Sequence, residues 1–312
     1  MDTIAILVTA YVMDVLGGDP PNRLHPVAWM GNWISAGRRL APKRGNAARF
    51  LFGCGWVLSS VVLIGGIAFC IQTVTTLLPW IAMIGLQAFL LKCMFSTRSL
   101  SKAAGCVSHA LRANDLPEAR RQLSYHLVSR NTESLSESQV AAATIESVAE
   151  NTSDSIVAPL FFFAIGGLPG AAIYRFANTC DAMWGYRNTE FEWLGKTAAR
   201  LDDLLNLAPA RITAMLILLG GAVLGMPWSQ GFRIWWRDRY RTSSPNAGHP
   251  MSAAAGMLGV SLEKVDYYTL GKEFASPDVN SIRAAVRVMW MVSAIWVFLL
   301  CMFFGIAAWS PA

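Results

Sequence analysis

Four long apolar stretches constrain this chain more than any other feature of its sequence. Residues 4–18, 51–71, 79–95 and 288–309 approach the roughly 20 residues that an α-helix needs to cross a bilayer. Only 15% of the residues are charged, whereas soluble domains have about a quarter. These features exclude a disordered chain and an ordinary soluble enzyme. The sequence predicts an all-α, polytopic membrane protein with about four to six membrane segments.

Two further apolar segments are interrupted by glycines. They cover residues 156–174 and 212–227, and the first also contains Pro159 and Pro169. Glycine and proline break a helix, so each segment either crosses the membrane or re-enters it and returns to the same side.

The distribution of charge predicts which loops face the cytoplasm. The loop 19–49 has six basic residues (Arg23, Arg38, Arg39, Lys43, Arg44 and Arg49) against one acid, which places it inside by the positive-inside rule. Alternation then makes 96–154 a cytoplasmic helical loop, and eight basic against five acidic residues make 229–287 another. The two interrupted segments must therefore both cross or both turn back. The charge of 176–206, three basic and five acidic residues, weakly favours crossing, whereas the chemistry below favours turning back.

No linker or repeat divides the chain, so we expect one integral membrane domain over 1–312. The net charge of +6 belongs to cytoplasmic loops, and no pattern of a nucleic-acid module is present. The six cysteines lie in or beside apolar stretches without metal-binding spacing, which predicts packing roles.

Three acids recur along one helical face. Glu146, Glu150 and Asp154 lie at i, i+4 and i+8, with Asn151 beside them. Like charges at this spacing destabilise a helix unless a cation lies between them, and oxygen ligands without Cys or His suit Mg²⁺. The alternative is a solvated helix face that pairs with basic neighbours.

A second polar cluster lies between the two interrupted segments, after 156–174 and before 212–227. It contains Asn178, Asp181, Arg200, Asp202, Asp203, Asn206 and Arg211. Uncompensated charge beside an apolar segment is costly and usually functional. If the segments turn back, the two clusters could meet around metal ions bound to phosphates. The alternative is a set of helix caps and surface pairs.

Two loops are rich in proline and glycine, a composition that predicts a defined loop conformation. Residues 17–31 include His25, an acid, a base or a ligand in one interpretation and a structural residue in the other. In 239–260, Ser244 and Asn246 precede a helix of small residues, whose first N–H groups could bind an anion near basic side chains. Simple N-capping by the serines is the alternative. No Walker A pattern occurs.

Five sequence blocks resemble one known family. They are GDPPNRLHPV, IESVAENTSDSIVAPLFF, YRFANTCDAMWGY, AARLDDLLNLAPARIT and SSPNAG. In this order, from about residue 12 to 290, they are similar to the cobinamide-phosphate synthase family (CbiB/CobD) of cobalamin biosynthesis. One departure is that relatives tend to read Arg-Asp-Thr where this chain has Arg130, Asn131 and Thr132, so no essential acid is expected at 131.

The resemblance implies an inner-membrane ligase with its active site on the cytoplasmic side. Such an enzyme joins (R)-1-aminopropan-2-ol or its O-phosphate to the free propionate of adenosylcobyric acid, with ATP as co-substrate and Mg²⁺. An acyl phosphate is the economical intermediate. The implied partners are these substrates, membrane lipids and other cobalamin-assembly enzymes at the membrane.

The chemistry of that reaction suggests roles for the polar residues. The expected Mg²⁺ ligands are Glu146, Glu150, Asp154, Asp181, Asp202 and Asp203, with Asn151 beside them. The expected catalytic residues are Glu150, Asp154, Asp202, Arg200 and Lys196. Arg200, Arg211 and Lys196 are expected to contact phosphates, and Asn178, Asn206, His25, Ser244 and Asn246 the corrinoid amides or the amine. A transporter for corrinoids or other anions, with the broken segments as gates, and a scaffold without an active site are the alternatives.

Overall fold

Helices make up nearly all the regular structure of the computed structural model, which describes residues 1–186, 188–264 and 266–309. The helices are α1 (Asp2–Gly17), α2 (Pro26–Leu40), α3 (Asn46–Thr75), α4 (Trp80–Lys92), α5 (Thr97–Arg112), α6 (Leu116–His126), α7 (Glu137–Thr152), α8 (Ala158–Trp184), α9 (Lys196–Leu205), α10 (Leu207–Val223), α11 (Trp228–Asp238), α12 (Gly248–Leu258) and α13 (Val279–Trp309). A 3₁₀ turn covers Asn22–Leu24 and a π turn Ser153–Val157. Two short antiparallel strands, β1 (Leu262–Lys264) and β2 (Tyr268–Leu270), lie within the predicted helical loop 229–287. The predicted all-α class is confirmed.

Four helical stretches among the described residues are long and apolar enough to cross a membrane. They are Asn46–Thr75, Trp80–Arg112, Glu137–Trp184 and Val279–Trp309, and α9 with α10 gives a fifth if that pair, bent by 47°, is counted as one helix. The predicted spans 51–71 and 288–309 fall inside these stretches, and 79–95 does so except for its first residue. The fourth, 4–18, forms α1, whose 16 residues extend about 24 Å and fall short of a hydrocarbon core of about 30 Å. A full crossing there is not supported.

The chain forms two compact units, each assembled from separate stretches. Unit 1 contains Met1–Ser96, Ala158–Asn206 and the chain from Leu300 onward, and unit 2 contains Thr97–Val157 and Leu207–Leu299. Because the chain passes between the units several times, no single linker marks their boundary in the sequence.

The helix α8 doubles back on itself inside unit 1. The rings of Phe162 and Tyr174 stack with centroids 5.2 Å apart, although twelve residues of straight helix would separate them by about 18 Å. The bend lies at Gly166 and Gly167, where Gly167 has φ +62° and ψ −151°. Gln72 Oε1 accepts the N–H of the residue after the bend at 2.8 Å, so this freed donor is satisfied.

The returning arm of α8 runs antiparallel to α3. Its start lies beside Gln72, near the end of α3, and the loop after it reaches the beginning of α3, where Arg49 Nη1 donates to Thr189 O at 2.8 Å. The same loop pairs with the basic loop 19–49 through Arg38 and Glu190, whose Nε and Oε1 atoms are 2.6 Å apart. The first interrupted segment therefore turns back.

The second interrupted segment forms the continuous helix α10 and a turn, after which α11 packs back on α10 within unit 2. α11 runs antiparallel to α10, because Gly231 near its start packs on Leu218 and Tyr240, just beyond its end, lies beside Arg211. Arg211 Nη1 also lies 3.2 Å from Asn246 Oδ1. The chain thus reverses direction after both segments, whereas the number of times it crosses the membrane stays a prediction.

Candidate functional site

The predicted acidic stripe lies on one helical segment of unit 2. Glu146 and Glu150 are one turn apart on α7, as the spacing predicts, and Asp154 lies in the π turn that follows. The Asn151 side-chain amide donates to the backbone carbonyl one turn earlier, at 2.9 Å. π turns within α-helices often occur at functional sites, and periodicity alone did not predict this one.

Glu146 is deeply buried for a carboxylate. Its exposed fraction is 6%, and Arg130 Nη2 lies 3.8 Å from Oε2. Among the described residues, Oε1 has no hydrogen-bond partner. The pKa of Tyr268 is raised, first by burial and then by the negative charges of Glu146 and Glu150, so both carboxylates face this hydroxyl. A buried acceptor without a partner is uncommon in folded proteins, so this oxygen is a candidate metal ligand.

The donor set of this stripe fits Mg²⁺. All its candidate ligands are oxygen atoms, and one of them is the unpartnered Glu146 Oε1. In the part of the chain that the structure describes, no group of three or more His, Cys, Asp or Glu side chains is gathered as a metal site. Magnesium usually binds through one or two carboxylates together with waters and substrate phosphates, so a preformed cage is not needed.

The departure from the family pattern at Asn131 has a local explanation. Asn131 Oδ1 accepts the backbone N–H two residues later, at 2.8 Å, which closes a turn. An aspartate makes the same turn, so the loop geometry does not depend on a negative charge there.

In unit 1, Asp202 is the centre of a hydrogen-bonded network. Its oxygens accept from Asn178 Nδ2 at 3.2 Å and from Asn206 Nδ2 at 3.0 Å. The Tyr174 hydroxyl donates to Asn206 Oδ1 at 3.0 Å, and Arg175 Nη1 to Asn178 Oδ1 at 3.4 Å. Asp202 and Asn206 lie four residues apart on one helical face, and the network fixes the orientation of the carboxylate.

A polar cavity of about 300 Å³ opens beside this network. Lys196, Arg200 and Asp203 line it, and Arg200 Nη1 lies 3.6 Å from Asp203 Oδ2. Gly185 also lines the cavity and lies one turn after Asp181, whose Oδ1 would be 2.1 Å from a Cβ added at this glycine. Three predicted residues thus share one cavity of the size typical of ligand sites.

The neighbourhood of His25 favours the structural interpretation. Its Nδ1 accepts the N–H of Val27 at 3.3 Å and so caps α2, and its Nε2 lies 3.8 Å from Asp19 Oδ1. Lys92 Nζ contacts Asp19 and lies 3.4 Å from Asp14 Oδ1. Lys92 and Asp14 are both buried charges that sequence reasoning missed, although their position within apolar segments was a signal.

In the loop of unit 2 that the sequence predicts to bind an anion, Ser244 caps a helix and Asn246 positions Arg211. Ser244 Oγ accepts the N–H groups of Asn246 and Ala247 at 3.2 and 3.3 Å, as the capping alternative predicts. Asn246 is buried and accepts from Arg211 Nη1, which also donates to Leu207 O at 2.6 Å. The loop therefore holds the Arg211 guanidinium in one place.

The predicted site residues divide between the two units. His25, Asn178, Asp181, Lys196, Arg200, Asp202, Asp203 and Asn206 belong to unit 1, and Glu146, Glu150, Asn151, Asp154, Arg211, Ser244 and Asn246 to unit 2. Each unit thus contains carboxylates and cationic groups of its own. That the acids of both units share metal ions stays a prediction.

Comparison with known proteins places these residues in a family. The family model CobD/Cbib protein matches residues 7–297. The cobalamin biosynthesis protein CobD of Dehalococcoides mccartyi is 41% identical over 95% of this chain and 96% of its own length. A probable cobalamin biosynthesis protein CobD of Methanothermobacter thermautotrophicus is 40% identical over 92% and 93%. The cobalamin biosynthesis protein CbiB of Salmonella typhimurium is 35% identical over 94% and 95%.

No solved structure matches the chain. The family model covers both units and the positions of all the site residues named above. On this coverage and on relatives well above 30% identity, the chain belongs to the CobD/CbiB family.

Proposed function

We propose that this chain takes part in cobalamin biosynthesis as adenosylcobinamide-phosphate synthase. The reaction is an ATP-dependent amide ligation of (R)-1-aminopropan-2-ol or its O-phosphate to the free propionate of adenosylcobyric acid. Membership of a family whose relatives are named cobalamin biosynthesis proteins supports the pathway. The apolar helices support an enzyme of the cell membrane.

One observation carries the proposal, the buried and partly unpartnered carboxylate of Glu146 beside Glu150. Burying an ionised carboxylate is costly unless a cation or hydrogen bonds compensate it. Arg130 lies near Oε2 and the Tyr268 hydroxyl bonds to the carboxylate, but Oε1 has no hydrogen-bond partner among the described residues. A divalent cation at Oε1 is the compensation that its chemistry fits, and Glu150 and Asp154 supply further oxygen ligands.

The proposed reaction has two steps. The propionate attacks the γ-phosphorus of ATP, which gives an acyl phosphate and ADP; the amine then attacks the acyl carbon and inorganic phosphate leaves. Mg²⁺ supplies charge neutralisation at the phosphoryl oxygens. Lys196 and Arg200 are proposed to contact phosphoryl oxygens from the polar cavity of unit 1. Asn178 and Asn206 are proposed to hold the Asp202 carboxylate in place through hydrogen bonds to its oxygens.

The ligase proposal is tested with the purified full-length protein in detergent or lipid nanodiscs. Adenosylcobyric acid, Mg²⁺ and ATP are incubated with each amine, and the amide product and ADP are quantified by mass spectrometry. We expect one ADP per amide and no product without ATP. Amide formation without ATP use, or ATP use without an amide, contradicts the mechanism.

A second function, transport of a corrinoid or another anion, is favoured by the broken helix α8. Transporters often place substrates at helices interrupted within the membrane, and α8 is interrupted at Gly166 and Gly167. Proteoliposomes loaded with labelled cobyric acid distinguish the two functions. Protein-dependent flux in the absence of ATP and amine supports transport, whereas the ligase proposal expects none.

A further inference from the structure

Two arginines of unit 2 lack the carboxylate partners that their neighbours have. Arg237 and Arg241 both pair with the buried Asp238, at 2.7 and 3.0 Å. By contrast, no carboxylate among the described residues forms an ion pair with Arg239 or Arg211. The neighbouring Arg237 and Arg241 thus have a counter-charge that Arg239 and Arg211 lack.

The two unpaired guanidinium groups meet at Tyr240. The pKa of Tyr240 is lowered, first by hydrogen bonding from Arg239 and then by the positive charge of that residue. Arg211 lowers it by the same two effects, and burial opposes the shift. Arg239 also stacks on Trp236, with its Cζ 3.7 Å from the ring centroid. Two positive charges around one hydroxyl repel each other, and an anion between them removes the repulsion.

His249 adds a buried donor to the same place. Its exposed fraction is 2%, its ring meets the Tyr240 ring edge to face at 5.5 Å, and Trp235 Nε1 donates to its Nδ1 at 3.1 Å. Indole N–H can only donate, so Nδ1 is the acceptor and the neutral ring carries its proton on Nε2. In the described part of the chain, Nε2 has no hydrogen-bond partner.

The charge state of His249 agrees with this tautomer. Burial first, and then the positive charges of Arg211 and Arg239, lower its pKa to about 4, so it is neutral near pH 7. A neutral buried N–H without an acceptor is costly, which indicates that an acceptor from outside the chain completes it.

We propose that Arg211, Arg239, Tyr240 and His249 form a binding site for a phosphate group. Two guanidinium groups, a phenolic hydroxyl and an imidazole N–H are donors for the several oxygens of a phosphate, and arginine suits phosphate geometry. The buried Asn246 and the carbonyl of Leu207 hold Arg211 toward this site. The inference rests on the proposed function only in that the physiological ligand would be a phosphorylated reactant; a lipid headgroup offers the same oxygens.

Phosphate binding is measured without turnover. The full-length protein in nanodiscs of uncharged phosphatidylcholine is titrated with inorganic phosphate by isothermal calorimetry. We expect Arg239→Gln and Arg211→Gln each to raise the Kd at least tenfold. Arg233→Gln is the matched control, because it removes the same charge from the exposed face of α11 and should leave the Kd unchanged.

A spectroscopic arm reports on His249 itself. In ¹⁵N-histidine-labelled protein, added phosphate should shift the Nε2 resonance of His249 in the unaltered chain and in Arg233→Gln, but not in Arg239→Gln. If Arg211→Gln fails to fold because Asn246 loses its donor, Arg239→Gln at its partly exposed position decides the question.

Nanodiscs that contain phosphatidylglycerol identify the source of the phosphate. Weaker binding of inorganic phosphate there, with the difference abolished in Arg239→Gln, assigns the site to a lipid headgroup; unchanged binding assigns it to a soluble ligand. The absence of any binding, or equal binding by the unaltered chain and both site variants, overturns the inference. If the protein forms the amide but both site variants bind phosphate as the unaltered chain does, only the phosphate site is refuted. If phosphate binds at the site but no amide forms, only the proposed reaction is refuted.

Discussion

The roles predicted for Glu150 and Asp202 depend directly on the proposed phosphoryl transfer. We expect Glu150→Ala and Asp202→Ala each to reduce turnover at least about a hundredfold, because each removes a carboxylate proposed to stabilise phosphoryl transfer. Turnover is measured per folded protein in the ligation assay. Glu137→Ala, at an exposed position in the first turn of the same helix as Glu150, is the control and should retain activity. Comparable turnover in Glu150→Ala and the control would remove Glu150 from the mechanism.

His249 makes stability depend on pH in a predictable direction. Its pKa is lowered from 6.5 to about 4 in the folded protein, first by burial. Between these values the unfolded chain binds a proton that the folded chain does not. The stabilisation is therefore complete above pH 6.5 and is lost as the pH falls toward 4, with a slope of up to ~1.4 kcal/mol per pH unit.

The measurement compares thermal unfolding of the unaltered protein and His249→Gln from pH 7.5 to 4.5. Glutamine offers Trp235 an acceptor but does not titrate, and the other groups contribute alike to both proteins. The difference in free energy of unfolding should shrink as the pH falls through this range. A difference that stays constant with pH contradicts the assignment of a neutral, buried His249.

At the scale of elements, the bend of α8 depends on one glycine. Gly167 has a positive φ together with ψ near −150°, a region that essentially only glycine occupies. A Cβ there would lie 2.5 Å from Gln72 Oε1, the atom that satisfies the backbone beyond the bend. We expect Gly167→Ala to destabilise the protein by about 1–3 kcal/mol.

Gly55→Ala is the matched control for this prediction. Gly55 lies in the interior of α3, and nothing lies within 4 Å of a Cβ added there. Alanine should be neutral or stabilise the helix by up to about 1 kcal/mol. Thermal unfolding of the two variants in the same detergent makes the comparison, and equal effects would show that the backbone at 167 is not strained by a side chain.

For the whole molecule, the turning back of α8 predicts which loops share a side of the membrane. We expect cysteines at Lys43 and Thr189 to react with a membrane-impermeant thiol reagent only after cells are opened. A cysteine at Leu77, exposed at the other end of α3, should react in intact cells. The six native cysteines are first replaced. Labelling of Thr189→Cys in intact cells would contradict the hairpin.

Part of this architecture was determined by the amino-acid sequence alone. Apolar runs specified the helical membrane class, because backbone N–H and C=O groups in lipid must bond within their own segment. Helical spacing placed Glu146 with Glu150, and Asp202 with Asn206, since residues four apart always share a face. The glycines of 156–174 marked a break because only glycine tolerates the backbone found there.

Tertiary structure decided what those local rules leave open. The direction of the chain after Gly167 depends on packing against α3 and on the Gln72 acceptor, which are distant in sequence. The burial of Glu146, the pairing of Lys92 with Asp14 and the meeting of Arg211 with Arg239 depend likewise on which helices become neighbours. Periodicity states which side of a helix a residue occupies; only the fold decides what faces that side, and with it whether a charge is paired, solvated or left to a ligand.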